Sequence, residues 1–439
     1  MVKNIFHALD ERIEEMDPKY RKIVGNLAGN LAITTMKVKS RYFHRIGVSG
    51  RGVLKLFDDL RGLPDHKMFR PGKTYPILVR HSNSLSADDD ARIDARGAAV
   101  RILSDDDNQS PLLDLTLKTG KAFYARTIAD FATWLICGLP AREEFVKRAP
   151  HVRDAVWGSL RLTDSYTQLH YYSNVVRLLR CSDGQEMYVK FKLRPLDESI
   201  GENSGEVEPT GILPPETGAI PRFEKDARPL LFLADDFQRR VNSSGGVKYV
   251  FQLQFRPVPS DEADRDRALD CTRPWDEVEF PFVDVGLITI DRNLSSEESE
   301  RLEFNPFLRS HEVDILRATS CSQSASIDHG RSLIYEICQH LRNGEPLPAA
   351  WRAFLDQSDV KVDISGCPMA AASAEALVQE KKLDTRKVTL ERKWYQNVRI
   401  GESGFVGSRA VCMPGVTVES GGSLDALTLA MKEETVRSR

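Results

Sequence analysis

The chain has 439 residues, 41% of them hydrophobic and 28% charged, with a formal net charge of −3. These are ordinary globular values, enough for one large domain with appendages or for two to three domains, and the near-balance of charge gives no electrostatic case for a nucleic-acid partner. No run of 18 apolar residues occurs, so no transmembrane segment is expected.

Residues 1–30 lack the apolar core of a signal peptide and alternate apolar and charged positions at helical spacing, which predicts an amphipathic helix. From 34 to 125 the texture is strand-like, in TTMKVKSRYFHRIGVSGRGVLKLF, YPILVRHSNS, GAAVRIL and LLDLTLKTGKAFYA. EEFVKRAPHVRDAVWGSLR predicts helix, and SNVVRLLRCSDGQEMYVKFKL a hairpin turning at Ser182-Asp183-Gly184. Residues 197–222, rich in Gly, Pro and Glu, predict a long exposed loop. VKYVFQLQFRPV and VEFPFVDVGLITID return to strand, and a helix closes this part near 345. Many consecutive strands with appended helices predict an α+β fold over residues 31–350, an antiparallel barrel rather than a doubly wound sheet.

Residues 351–397 read as a linker with a short helix. In 398–439, Ile400, Val406, Cys412, Val418, Leu424 and Ala430 fall six apart among glycines. That pattern resembles the hexapeptide repeat of a left-handed β-helix, a remnant or fragment of a larger solenoid; an irregular Gly-rich tail is the alternative. The seven cysteines (Cys137, Cys181, Cys271, Cys321, Cys338, Cys367 and Cys412) are scattered, with no C-x-x-C pair, which argues against a disulfide framework. A reducing compartment is expected, most simply a cytoplasmic one; plastid or peroxisome import is compatible too.

HGRSLIYEICQHLR, residues 329–342, puts Arg331 four residues before Tyr335 and Arg342 seven after it, and helical steps of four and eleven return to nearly the same face. A phenol between two guanidinium groups is either an aromatic staple on a surface helix or a tyrosinate that binds a metal. Tyrosinate is a hard anionic ligand suited to ferric iron, and an arginine one turn away favours the anion without losing its own charge.

Earlier in the chain stand SRYFHRIG with Arg41 and His44, LVRHSN with Arg80, DARGAAVRI from Asp94 to Ile102, and EFNP from Glu303 to Pro306. This order, ending in Arg331-x-x-x-Tyr335, resembles the haem catalase superfamily. It is closer still to the catalase-related allene oxide synthase domain of allene oxide synthase–lipoxygenase fusion proteins, through its RH-x-N and D-A-R steps, the YYS of Tyr171 to Ser173, and QHLR after the tyrosine. The similarity covers roughly residues 35–345, about 70% of the chain.

The resemblance implies haem b with iron ligated by Tyr335, and Arg331 as that ligand's charge partner. It implies His44 as the distal base with Ser82 hydrogen-bonded to it. Arg41, Arg80 and Arg342 would be propionate partners, and Phe131 would pack on the haem face. Two positions depart from the family: Lys118 falls where an asparagine is expected in the distal pocket, and Phe43 where a small valine or threonine is expected. The implied reaction is haem-dependent cleavage of an organic, lipid-type hydroperoxide, with allene oxide synthase-like dehydration or rearrangement. The alternatives are a catalase or peroxidase acting on hydrogen peroxide, expected to be weak because of Lys118 and Phe43, and a repurposed module of a larger biosynthetic protein. Other domains or a homo-oligomer are the remaining partners considered, although a catalase-type tetramer is not expected from the short segment before the barrel.

Overall fold

The computed structural model describes residues 15–343, apart from 39, 61, 86–88, 107–108, 137–138, 216–217 and 307, together with seven two-residue strands between 399 and 436. The described residues form two compact units, one ending at Asn343 and one holding the seven strands.

In chain order the first unit contains α1 (Pro18–Val38), β1 (Gly47–Leu56), β2 (Thr74–Asn83), β3 (Asp94–Leu103), β4 (Pro111–Lys118), α2 (Ile128–Ile136), α3 (Leu139–Arg148) and α4 (Pro150–Trp157). It continues with β5 (Leu160–Arg161), β6 (Tyr171–Tyr172), β7 (Arg177–Arg180), β8 (Glu186–Pro195), α5 (Phe232–Val241), β9 (Val247–Pro257), α6 (Glu262–Ala268), β10 (Phe282–Asn293), α7 (Ser296–Arg301), β11 (Val313–Ile315) and α8 (Ser326–Asn343). Eight strands close on themselves in the order β1-β2-β3-β4-β6-β8-β9-β10, every pairing antiparallel. The expected antiparallel barrel with appended helices is therefore present.

Period-two alternation separates the strand faces. Leu54, Ile77, Val79, Ala98, Val100, Leu113, Leu115, Phe191, Phe251 and Ile288 fill the barrel. The β7–β8 hairpin turns where expected: Gly184 has φ 88°, and its N–H donates to Cys181 O at 3.0 Å. The region around 34–38, expected as strand, is the end of α1. Thr34, Thr35 and Val38 favour strands locally, yet Tyr20, Val24, Leu27, Leu31 and Thr35 of this helix are all buried. Tyr20 Oη donates to Ser326 O of α8 at 3.2 Å, and tertiary burial overrides the weak propensity. Residues 1–14 and the 351–397 linker lie outside the described residues. No helix among the described residues is long and apolar enough to cross a membrane.

The second unit consists of β12 (Arg399–Ile400), β13 (Phe405–Val406), β14 (Val411–Cys412), β15 (Thr417–Val418), β16 (Ser423–Leu424), β17 (Leu429–Ala430) and β18 (Thr435–Val436). Arg399 pairs in parallel with Thr417 and Thr417 with Thr435, while Phe405 pairs with Ser423 and Val411 with Leu429. Each strand thus meets the strand three hexads further on, the spacing a hexapeptide coil requires.

Candidate active site

Alternation that turns apolar residues of β2, β3 and β4 into the barrel turns their polar neighbours outward. Register sets Arg80, Ala99 and Thr116 in one outer row and Ser82, Gly97 and Lys118 in the next. His44, from the segment before β1, packs on the second row. Its Nδ1 lies 2.9 Å from Ser82 Oγ, and a Cβ at Gly97 would stand 2.9 Å from the ring. The His44 main chain has a left-handed φ of 57° and is held at both ends: its N–H donates to Ser84 O at 3.0 Å, and its carbonyl accepts from Arg80 Nη1 at 2.9 Å. Burial, with the added repulsion of Arg80, Arg331 and Arg41, pushes His44 down to about 4. It is a neutral imidazole at neutral pH, able to accept a proton.

Three arginines gather beside it. Arg41 Nη2 donates to the carbonyls of Ser299 at 3.1 Å, Glu300 at 3.2 Å and Leu302 at 2.7 Å, and Arg41 Nη1 pairs with the Glu300 carboxylate at 2.8 Å. Arg80 reaches the same carboxylate at 3.5 Å. Arg342 Nη2 donates to Leu302 O at 3.1 Å. Burial together with Arg80 and Arg342 pushes Arg41 down from its ordinary value, the mark of crowded cations. The Glu300 carboxylate serves two of these guanidinium groups, Arg41 and Arg80, while Arg342 lies in the field of both Glu300 and Glu303, so three cations face two acids.

The facing helix is α8. Its buried Ile327, Leu333, Ile334, Ile337 and Leu341 form the apolar stripe that docks it. The Arg331 guanidinium lies 5.9 Å from the Tyr335 ring centre and 5.8 Å from that of Phe123. It donates to Asp328 Oδ1 at 2.7 Å and to Thr116 Oγ1 at 3.3 Å, which ties α8 to the outer row of β4. Burial pushes the Tyr335 phenol up while Arg331 pulls it down, and the net direction is up. Arg331 is shared with Asp328, so it offsets only part of the cost of a buried phenolate; a cation on the phenolic oxygen would have to supply the rest.

The other sequence candidates have these placements. Phe131, on α2, is buried and stacked on Phe123 and Tyr124, with centroids 6.1 Å apart in both pairs. Phe43 packs edge-on against Tyr42 at 4.4 Å. Lys118 Nζ donates to Thr119 O at 2.8 Å, and burial, reinforced by Arg161, pushes it down to about 7. The structure thus brings His44, Ser82, Arg41 and Arg80 together with Arg331, Tyr335 and Arg342 of α8. Sequence reasoning missed Glu300, Thr116 and Asp328 and gave Gly97 no role. Asp328, one turn before Arg331, was legible from spacing; Glu300 was one acid among several in SSEESER. Among the described residues, no cluster of three His, Cys, Asp or Glu side chains could hold a metal.

No protein-family model matches the chain. It is similar to linolenate 9R-lipoxygenase of Nostoc sp., at 27% identity over 328 residues, covering 73% of this chain and 41% of that protein. It is also similar to the allene oxide synthase-lipoxygenase protein of Plexaura homomalla, at 28% identity over 372 residues, covering 83% of this chain and 34% of that protein. The chain spans well under half the length of both relatives. A fungal catalase crystal structure aligns with a TM-score of 0.51 at 17% identity, over 73% of this chain and 63% of that one, and shows that the barrel with its helices is a catalase fold.

Proposed function

We propose that the first unit is a haem-dependent enzyme that acts on organic, lipid-type hydroperoxides by allene oxide synthase-like dehydration or rearrangement. The observation that carries this reading is the convergence on one outer face of the barrel: a neutral His44, a cluster of arginines that outnumbers its acids, and Tyr335 on the facing helix. The donor set fits haem b. A cation-rich cluster suits a group that carries carboxylates, a phenol oxygen suits ferric iron, and Gly97 lets His44 sit close over the barrel wall. Similarity to a protein named as an allene oxide synthase-lipoxygenase supports the substrate class.

Bound through Tyr335, a haem would supply the redox-active iron at which a peroxide O–O bond is cleaved. The chain's own residues have separate tasks. Arg331 would offset part of the charge of a Tyr335 anion, and Arg41, Arg80 and Arg342 would hold the haem carboxylates. His44 Nδ1 and Ser82 Oγ share a hydrogen bond; in the tautomer in which Nδ1 donates to Ser82, Nε2 is left as the acceptor. Nε2 takes the hydroperoxide proton and returns it to the leaving oxygen.

The test is to load the purified protein with haem, record its Soret band, and follow fatty-acid hydroperoxides by spectrum and product analysis. Turnover to an allene oxide or its hydrolysis products is expected. A haem-loaded protein unchanged by every lipid hydroperoxide refutes the substrate class. The catalase fold supports hydrogen peroxide as the second reading; vigorous oxygen evolution would favour it.

A further inference from the structure

We propose that Glu300 is the resident anion of the arginine cluster: it offsets part of the cluster's charge in the ligand-free protein and competes with incoming carboxylates for the same guanidinium groups. This inference rests on the haem reading above. Glu300 sits in the last turn of α7, whose start is fixed by the reciprocal Ser295–Glu298 capping box. The helix end is aimed at the arginines. Its terminal carbonyls, at Ser299, Glu300 and Leu302, take N–H groups of Arg41, and Leu302 also takes one from Arg342. Carbonyls at a helix C-terminus carry only partial negative charge, so among the described residues the Glu300 carboxylate is the full anion paired with Arg41 and Arg80. A second acid, Glu303, accepts from Asn343 and faces Arg342.

Exposure separates the partners. The Glu300 side chain is 46% exposed, whereas those of Arg41 and Arg80 are 13% and 3% exposed. A half-exposed carboxylate loses little solvation when it gives up a partner, while a buried guanidinium that loses one pays a large penalty. The arginines are therefore the fixed part of the site and Glu300 the part that can yield. Its charge lowers the affinity for any ligand carboxylate placed beside it, and its removal raises that affinity.

The test compares the full-length wild type with Glu300→Gln, which keeps the shape, and with Glu300→Asp, which keeps the charge but shortens the reach. Each is titrated with iron-free protoporphyrin IX, with its dimethyl ester, and with haem, at low and high salt; the iron-free probes remove Tyr335 ligation from the readout. Glu300→Gln is expected to bind protoporphyrin IX about three- to tenfold more tightly than the wild type, with the gap narrowing as salt screens it. The dimethyl ester should bind both equally. Ligand-free Glu300→Gln should melt below the wild type, with Glu300→Asp between them, because the cluster has lost its anion. Equal or weaker protoporphyrin binding by Glu300→Gln, with normal haem binding by the wild type, overturns this inference alone. Binding of neither porphyrin nor haem by any of the three proteins overturns the haem reading and this inference with it.

Discussion

Gly97→Ala separates the distal geometry from everything that grips the cofactor. A Cβ at this position would stand 2.9 Å from both Cε1 and Nδ1 of His44 and 3.0 Å from Ser82 Oγ, whereas unstrained contacts lie at about 3.5–4.0 Å. Gly97 is not among the glycines with positive φ, so alanine suits the backbone and the clash is the whole perturbation. The ring and the hydroxyl must each give way by about half an ångström. Neither is loose: His44 is held by Ser84 and Arg80, and Ser82 is in register between Gly47 of β1 and Gly97 of β3. The retreat stretches the 2.9 Å His44–Ser82 contact out of good hydrogen-bond range. Overpacking of this size costs about 1–3 kcal/mol of stability, and a catalytic group misplaced by a fraction of an ångström costs roughly 10- to 100-fold in rate. Haem-loaded Gly97→Ala should keep a wild-type Soret band, since Tyr335 and the arginines are untouched, while hydroperoxide consumption under initial-rate conditions falls by that factor. A folded variant with both the wild-type spectrum and the wild-type rate would refute the placement of His44 as the working base.

Tyr335→Phe should lose the Soret band after haem supplementation or shift it clearly; an unchanged spectrum would sink the ligand assignment. With His44 at about 4, kcat/KM should stay level from pH 8 to about pH 5 and drop about tenfold per pH unit below about pH 4, as the base becomes protonated; a break near pH 6.5 would instead report a solvated imidazole. Lys118 is lowered to about 7 in the folded chain, so the unfolded chain holds a proton there that the folded one has released. Wild-type stability relative to Lys118→Met should therefore be flat below about pH 7 and rise from about pH 7 to 10, by at most about 1.4 kcal/mol per pH unit. Urea midpoints measured across that range check it, and a pH-independent difference would mean that Lys118 is solvated.

The barrel was legible because its strands alternate and its turns carry punctuation such as Ser182-Asp183-Gly184, both local signals. The end of α1 was not, because Thr34, Thr35 and Val38 speak for strand, and what holds α1 as a helix is its packing on a helix about 300 residues away, where Tyr20 meets Ser326. Helical spacing did find Arg331, Tyr335 and Arg342. It could not say that Arg342 turns toward Leu302 O instead of the phenol, or that Asp328 takes part of Arg331's charge. Glu300 was illegible because the acids of SSEESER are equivalent until the fold singles one out. Gly97 has several equally good strand-level explanations, and only the ring of His44 chooses among them.

The two faces of the site differ in how a substitution is felt. The α8 face is one contiguous segment, so its chemistry is carried by spacing and survives changes elsewhere. The opposite face is assembled from the pre-β1 segment, β2, β3 and β4, and a change on one strand alters what the others can do. Lys118 illustrates this. An asparagine amide offers a donor and an acceptor at every pH, whereas a lysine offers only donors when charged and regains an acceptor lone pair only on losing its proton. With Lys118 poised at about 7 and its Nζ turned onto Thr119 O, it cannot reproduce the constant two-way hydrogen bonding of an amide. On the proposed reading, orientation of a bound peroxide would then fall to His44, anchored by Ser82. A substrate that brings its own binding energy, such as a long acyl chain, tolerates that loss better than hydrogen peroxide, which has nothing else to hold it in place.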